Sequence, residues 1–262
     1  MSATLNLCNL PAWIIASHEF NDDPVPLEIQ GVRGANRFLF ERLDGIAEPT
    51  ARAETFHDYM CVKFYLDQWE RQSTDNARRS IKNSYLRFLR GWGFDSNGLE
   101  GAVLKGWVES RIGIPPTFHR EPIAAIEYDD YTPYAVDRMR GSARTNNINS
   151  QLDLLYTYAQ YELARSHFDS PWLRLYRGTY DASEHTIIAQ VASREYIVQL
   201  NNLSSFTLDR ERAWEFGTTV WMTRVPCCKV FFFQDLLPRS ILRGEAEHLV
   251  IGGQYRVKEL RC

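Results

Sequence analysis

The pattern of apolar residues changes at Pro171. Before it, apolar side chains recur every three or four residues, which is the spacing of amphipathic helices. After it, short runs such as 172–176 alternate apolar and polar residues, which is the spacing of half-buried strands. The sequence therefore predicts an α+β protein in which a mainly helical part, residues 1–170, packs on a β-rich part, residues 171–262. No long linker lies between the two parts, so one compact unit is expected.

The same periodicities predict the individual elements. Gly91 and Gly93 are expected to end one helix, and Asn149 or Ser150 to cap the last long one. The predicted helices cover 54–71, 75–90, 98–112, a short 134–139, 149–167 and, within the β-rich part, 209–216. The predicted strands cover 172–176, 186–191, 196–200, 220–224, 229–233, 249–251 and 255–260.

Composition excludes several functional classes. The chain has 262 residues, 44% of them hydrophobic, and a formal net charge of −3. These values indicate an ordinary globular protein and argue against a nucleic-acid binder, which is usually basic. No apolar run approaches the roughly eighteen residues that span a bilayer, and residues 1–9 lack the features of a signal peptide. Five cysteines without a CxxC pair favour reduced thiols in a cytoplasmic protein.

Two glutamates, Glu245 and Glu247, stand two residues apart at the start of a β-branched run. Side chains alternate along a strand, so both carboxylates are expected on one face. Like charges this close resist joint ionisation unless a cation lies between them. A cationic transition state or a guanidinium substrate could be that cation. Taken alone, the pattern is more often a solvated strand face, so its meaning depends on what precedes it.

An arginine and a serine precede this pair. Arg177 lies in the run LYRG, and Ser205 lies in the run SSFT. Cleavage of the N-glycosidic bond of NAD leaves positive charge on the ribose, which a carboxylate can stabilise. An arginine can grip the pyrophosphate, and a small hydroxyl can orient the carboxylate. Singly, Arg177 is more often a salt-bridged strand residue and Ser205 a turn or N-cap residue. The order Arg, Ser, Glu-x-Glu is similar to the order used by one class of enzymes that split NAD.

These motifs resemble those of the Arg-Ser-Glu class of mono-ADP-ribosyltransferases, with YRG at 176–178, SFT at 205–207 and EAE at 245–247. Over its full length, including NLPAW at 9–13 and EIQGV at 28–32, the chain resembles the dinitrogenase reductase ADP-ribosyltransferases of nitrogen-fixing bacteria. The resemblance implies a β-rich NAD-binding catalytic core. It also implies transfer of ADP-ribose from NAD, a consumed substrate, to one arginine of the nitrogenase iron protein, which switches nitrogen fixation off. A PII-type nitrogen-signalling protein is the implied regulator, and a separate glycohydrolase reverses the modification.

The resemblance assigns a role to each motif residue. Arg177 is expected to grip the NAD phosphate or the nicotinamide-side ribose, and the Gly178 backbone to meet the nicotinamide amide. Ser205 is expected to hydrogen-bond and position Glu247, the catalytic carboxylate. Glu245 is expected to bind the target arginine and to help deprotonate it.

The serine motif departs from the class pattern. The class reads Ser-Thr-Ser where this chain has SFT, so Thr207 takes the third position of the NAD-binding motif, and Ser204 rivals Ser205 for the first. The turn over 234–244 contains no aromatic residue, whereas many relatives use one there to touch the target protein. Target recognition then falls to neighbouring apolar residues or to the helical part.

Other readings of the sequence stay open beside this one. The enzyme could be an NAD glycohydrolase with water as the acceptor, or the chain could be a catalytically silent module that only docks a partner. Glu127, Asp129 and Asp130 fit an exposed loop better than a metal site, so no metal is expected. The run GWG at 91–93 lacks the third glycine of a dinucleotide fingerprint, and Trp92 is expected in the core.

Overall fold

The computed structural model describes residues 6–66, 84–124, 129–143, 145, 147–166, 170–180, 185–238 and 247–260. Within these ranges helices dominate before Pro171 and strands dominate after it, which confirms the predicted α+β class. No helix in the described ranges is long and apolar enough to cross a membrane.

The helices of the described ranges are α1 (Ala12–Ile15), α2 (His18–Asp22), α3 (Val32–Ala35), α4 (Arg37–Asp44), α5 (Pro49–Phe64), α6 (Tyr85–Phe94), α7 (Leu99–Arg111), α8 (Tyr131–Ser142), α9 (Ile148–Ser166) and α10 (Arg210–Ala213). A 3-10 turn, Trp214–Phe216, continues α10. Residues 67–83, which include parts of two predicted helices, lie outside the described residues.

Several predicted helix ends are wrong. Helix α6 runs through Gly91 and Gly93 to Phe94 instead of stopping at Gly91. The reason is packing, because a Cβ at Gly91 would lie 2.5 Å from the Cβ of Glu100 on α7, so the glycine permits close approach of two helices.

Helix α9 begins at Ile148, so neither Asn149 nor Ser150 caps it. Helix α8 is twice as long as the predicted 134–139 segment. Helix α5 begins at Pro49, ahead of the predicted start, because proline fits the first helical position.

The strands are β1 (Phe118–His119), β2 (Glu121–Pro122), β3 (Trp172–Thr179), β4 (Thr186–Ala192), β5 (Glu195–Thr207), β6 (Thr219–Pro226), β7 (Val230–Phe233) and β8 (Glu247–Leu260). β1 and β2 form a separate small hairpin, and the other six form one antiparallel sheet in the order β4-β5-β3-β6-β8-β7, with an additional β5–β8 pairing. Two predictions need correction here. β5 continues past Leu200 to Thr207, and β8 is one strand where two were predicted.

The two long strands, β5 and β8, pair along most of their length and share an irregularity near its middle. Their register shifts between Leu200 and Leu203. Opposite that shift, a Cβ at Gly252 would collide with the Asn201 backbone, and Gly253 has φ +111°, a conformation that glycine tolerates. The irregularity lets one half of β8 pair with β7 and the other half with β6. The glycines therefore allow β8 to pair with β5 along one edge and with both β6 and β7 along the other.

The helical part packs on this sheet through a shared apolar core. One cluster of buried residues joins the helices to the sheet, from Phe56 of α5 and Trp107 of α7 to Leu249 and Ile251 of β8. A second cluster lies within the sheet region, around Leu175 of β3. Burial of this much apolar surface is the main force holding the two parts together. The first cluster therefore contains residues from both sides of the division at residue 170.

Candidate active site

Arg177 lies near the end of β3 and reaches across to β5. Its Nη1 donates a hydrogen bond to the Ser205 carbonyl oxygen at 2.8 Å, and its Nε donates to Nε2 of His185 at 3.4 Å. Tyr176, the residue before Arg177, pairs with Thr207 of β5. Strand pairing therefore brings Arg177 close to β5. The guanidinium is thus tied to both neighbouring segments, which limits its rotamers and sets the direction of its positive charge.

His185 is a residue that the sequence analysis missed. Burial and the nearby charge of Arg177 lower the pKa of His185 to about 3. The imidazole is therefore neutral at physiological pH, and a neutral ring nitrogen can accept the hydrogen bond from Arg177. The ring also lies against the indole of Trp221, with ring centroids 5.4 Å apart. Nothing in the spacing of the histidines along the chain indicates this contact.

Ser205 and Glu247 lie on the adjoining strands β5 and β8. Thr207 pairs with Glu247 in the β5–β8 ladder, and Ser205 pairs with Leu249, so the two candidate side chains are close neighbours across the ladder. The indole N–H of Trp92 lies between them. It donates to Ser205 Oγ at 2.9 Å and to Glu247 Oε1 at 3.2 Å. The ladder brings the two residues together, and one indole N–H links them.

Trp92 comes from α6, in the helical part, and only 4% of its surface is exposed. The prediction that it lies in the core is confirmed, but its polar edge was missed. A buried indole N–H usually has an acceptor, so the sequence could indicate that an acceptor exists. It could not say which one, because the acceptors lie 113 and 155 residues away along the chain.

Gly178 and Thr207 flank the site and have structural contacts of their own. A Cβ at Gly178 would collide with the Ala213 carbonyl oxygen and lie 2.9 Å from the carbonyl carbon of Phe216. The glycine therefore lets α10 and the following turn pack against β3. The Thr207 hydroxyl accepts from the Asp209 N–H at 3.1 Å, and Asp209 caps α10. These contacts explain both residues locally, and their expected contacts with NAD stay predictions.

The structure discriminates between the two neighbouring serines. Ser204 is buried, and its hydroxyl donates to the Asn201 carbonyl oxygen at 3.5 Å. Ser205 is the serine that contacts Trp92 and, through its carbonyl oxygen, Arg177. Thus Arg177, Ser205 and Glu247 come together on neighbouring strands. Glu245 lies in the segment 239–246, outside the described residues.

Two other features lie away from these residues. A cavity of about 660 Å³ opens between the segment 24–34, helix α9 and the turn at 227–228, and none of the candidate site residues lines it. In the described ranges, no group of three His, Cys, Asp or Glu side chains is arranged to hold a metal ion. Asp130 accepts from the Ala124 N–H at 2.7 Å, as expected of a loop carboxylate, and Glu127 lies outside the described residues.

The chain is similar to known proteins over nearly its whole length. The family model described as dinitrogenase reductase ADP-ribosyltransferase (DRAT) matches residues 5–259. A curated relative from Rhodospirillum rubrum, NAD(+)–dinitrogen-reductase ADP-D-ribosyltransferase, is 46% identical over 259 residues, covering 97% of this chain and 93% of the relative. No solved structure matches the chain.

These findings define an enzyme of the ADP-ribosyltransferase class, built as an α+β fold with an arginine, a serine and a glutamate meeting on three neighbouring strands. The match extends over nearly the whole chain, helical part included. The chain belongs to the dinitrogenase reductase ADP-ribosyltransferase family. The resemblance drawn from its motifs is therefore confirmed.

Proposed function

We propose that this enzyme transfers ADP-ribose from NAD to an arginine side chain of dinitrogenase reductase. The observation that carries the proposal is the meeting of Arg177, Ser205 and Glu247, in the order and strand positions that the class requires, in a chain of this family. The name of the R. rubrum relative describes the same donor and the same target. NAD is consumed as a substrate and is not a recycled cofactor.

The proposed reaction breaks the bond between the ribose C1′ and the nicotinamide nitrogen, and the electron pair leaves with nicotinamide. A nitrogen of the target guanidinium forms the new bond to C1′. Positive charge on the ribose is greatest between these events, so a carboxylate held beside it stabilises the transition state. Glu247 has this role in the proposal, Ser205 holds it in place, and Arg177 grips the phosphates or ribose of NAD.

Glu245 has the complementary role of receiving the target. A protein arginine is always protonated at ordinary pH and is a weak nucleophile in that form. A carboxylate two residues before Glu247 would bind the guanidinium and accept its proton as the new bond forms. The sequence pattern supports this division, because side chains that alternate along a strand would put residues 245 and 247 on the same face.

The remaining predictions from the family resemblance belong to the same proposal. Residues 171–262 would bind NAD, and residues 1–170 would recognise the target and a PII-type regulator in the cytoplasm. Within the helical part, the Trp92 indole contacts Ser205 and Glu247. The bound nicotinamide would lie near Gly178, and Thr207 would contact NAD from the end of β5.

A direct test incubates the enzyme with NAD and purified dinitrogenase reductase and measures two products, the ADP-ribosylated target by intact-protein mass spectrometry and the released nicotinamide. We expect both from the wild type, neither from Glu247→Gln, and nicotinamide without modified target from Glu245→Gln. Nicotinamide release by the wild type with an unmodified target would identify a glycohydrolase instead. No nicotinamide release at all would identify a binding module.

A further inference from the structure

Trp92 stands in an unusual position for a core residue. Its indole has one N–H, and that N–H is shared between two acceptors that belong to the candidate catalytic strands, at 2.9 and 3.2 Å. Only 4% of the Trp92 surface is exposed, so these hydrogen bonds form where the indole is shielded from water. A hydrogen bond from a neutral donor to a carboxylate is stronger than one between neutral groups, and burial strengthens it further.

The shared hydrogen bond affects the Ser205 hydroxyl and the Glu247 carboxylate in different ways. Because Ser205 Oγ accepts from the indole, the hydroxyl keeps its own proton for donation to another group. Because Glu247 Oε1 also accepts from the indole, the bond restrains rotation of the carboxylate relative to Ser205. A carboxylate that must face a developing ribose cation loses effectiveness when it rotates, since positioning contributes directly to the barrier.

Helix α6 is anchored firmly enough to act as a support. Arg87 forms an ion pair with Glu100 of α7, with Nη2 and Oε1 at 2.7 Å. At the start of the helix, the Tyr85 N–H donates to Oε1 of Gln151 on α9 at 2.9 Å. The absence of a side chain at Gly91 lets α6 lie against Glu100. Trp92 therefore points at the catalytic strands from a helix that two other helices hold in place.

We propose that Trp92 is a positioning residue of the catalytic centre, and that its indole N–H orients Glu247 and Ser205 for ribosyl transfer. The inference rests on the proposed function, because it assigns Trp92 to the reaction in which Glu247 acts. It makes the helical part a component of the active site and not only a recognition surface. A movement of α6 would then reduce turnover without any change in the residues that bind NAD.

The test compares two tryptophan variants that each remove one buried indole hydrogen bond. Trp92→Phe removes the donor to Ser205 and Glu247. Trp107→Phe is the matched control, since the Trp107 indole is fully buried in α7 and donates to Oδ1 of Asp153 at 2.8 Å, away from the catalytic strands. Both variants create a similar packing defect in the helical part, so thermal unfolding midpoints show whether they lose comparable stability.

We expect Trp92→Phe to lower kcat for nicotinamide release about 10- to 100-fold while KM for NAD changes less than about threefold, because the bond orients a catalytic group and does not hold NAD. Trp107→Phe should keep kcat within about threefold of the wild type. Equal kcat values for the two variants, at equal loss of thermal stability, would overturn the proposal. So would a tenfold rise in KM for NAD with kcat unchanged.

A second measurement separates this inference from the proposed function. The chain has seven tryptophans, so the indole N–H signals can be resolved by ¹⁵N NMR and the Trp92 signal assigned with Trp92→Phe. Glu247→Gln replaces the anionic acceptor by a neutral one, and we expect it to shift the Trp92 signal and leave the Trp107 signal in place. An unshifted Trp92 signal contradicts the contact. A shifted signal in Glu247→Gln, together with a wild-type enzyme that releases no nicotinamide, would preserve the contact and reject the function.

Discussion

The β-rich part and the helical part reach the active site in different ways. Arg177, Ser205 and Glu247 arrive through strand pairing, in which backbone hydrogen bonds fix each residue against a partner one step at a time. Trp92 arrives through the packing of α6 on its neighbours, and packing sets a position through many small contacts. Under our proposals, the sheet would provide the reacting groups, and the helical part would orient one of them through Trp92.

The two parts also differ in what stabilises them. The helical part contains buried ion pairs, among them Arg52–Glu162 at 2.7 Å, in which the side chains are 5% and 10% exposed. The sheet carries a more exposed pair, Lys258–Glu195, at 3.6 Å. Its stability comes mainly from strand ladders and apolar burial. Variants that act on one part and not on the other can therefore test whether stability and catalysis are separable.

The largest expected effect is a loss of stability in the helical part. Glu162→Gln leaves the Arg52 guanidinium buried without its carboxylate, which should reduce the free energy of unfolding by about 3–5 kcal/mol. Denaturant titration measures this loss. We expect kcat of the folded fraction to stay within about twofold of the wild type, since the pair does not touch the site.

The matched variant in the sheet is Glu195→Gln. It breaks a partly exposed pair and should change the free energy of unfolding by less than about 1 kcal/mol. If Glu195→Gln were as costly as Glu162→Gln, the proposed difference between the two parts would be wrong.

The next effect falls on the sheet side of the site. Gly178→Ala places a methyl group against the Ala213 carbonyl oxygen, so β3 and α10 must separate and Arg177 must move. We expect kcat/KM for NAD to fall on the order of 100-fold, with about 1–3 kcal/mol of lost stability. Gly34→Ala is the control, because a Cβ there meets nothing within 4 Å. Wild-type kinetics for Gly178→Ala would show that this packing does not set the position of Arg177.

A smaller effect is expected from the corresponding glycine on the helical side. Gly91→Ala forces α6 away from Glu100 and should lower kcat about tenfold by displacing Trp92, with KM for NAD little changed. Gly93→Ala adds the same methyl group to the same helix in open space. It should keep full activity and raise stability by roughly 0.5–1 kcal/mol, because alanine favours a helix. Equal activities of the two variants would show that the position of α6 does not affect catalysis.

The last effect concerns pH, because each part buries a lysine. Burial lowers the pKa of Lys229 in the sheet region and of Lys105 in α7 to about 7, from an ordinary 10.5. Above about pH 7 the unfolded chain holds protons that the folded chain has released. Stability should therefore rise between about pH 7 and 10.5 and lose that gain as the pH falls back to 7.

Each buried lysine should make the unfolding constant fall by between about threefold and tenfold per pH unit in this range. Lys229→Met and Lys105→Met should each remove that contribution from the pH dependence of stability. Denaturant titrations at pH 7, 8 and 9 measure the slope. A slope that only one of the two variants changes would mean that the two parts bury their lysines differently.

The sequence predicted much of the fold because periodicity reports which face of an element is buried. It placed the change from helix to strand at Pro171 correctly and located α7 within one residue at each end. It ended β5 too early, because the run 201–205, polar except for Leu203, does not resemble a strand until the partner strand β8 is known. It ended α6 too early because glycine can mark either a helix end or a close helix contact.

The sequence by itself determined the family, the α+β class and the order of Arg177, Ser205 and Glu247, because local motifs and their order are written along the chain. Only the tertiary structure decided that Ser205 and not Ser204 contacts the site, that His185 supports Arg177, and that Trp92 joins Ser205 to Glu247. For Trp92 the physical reason is distance along the chain. A hydrogen bond between residues more than a hundred positions apart depends on how whole elements pack, and no local pattern records that packing.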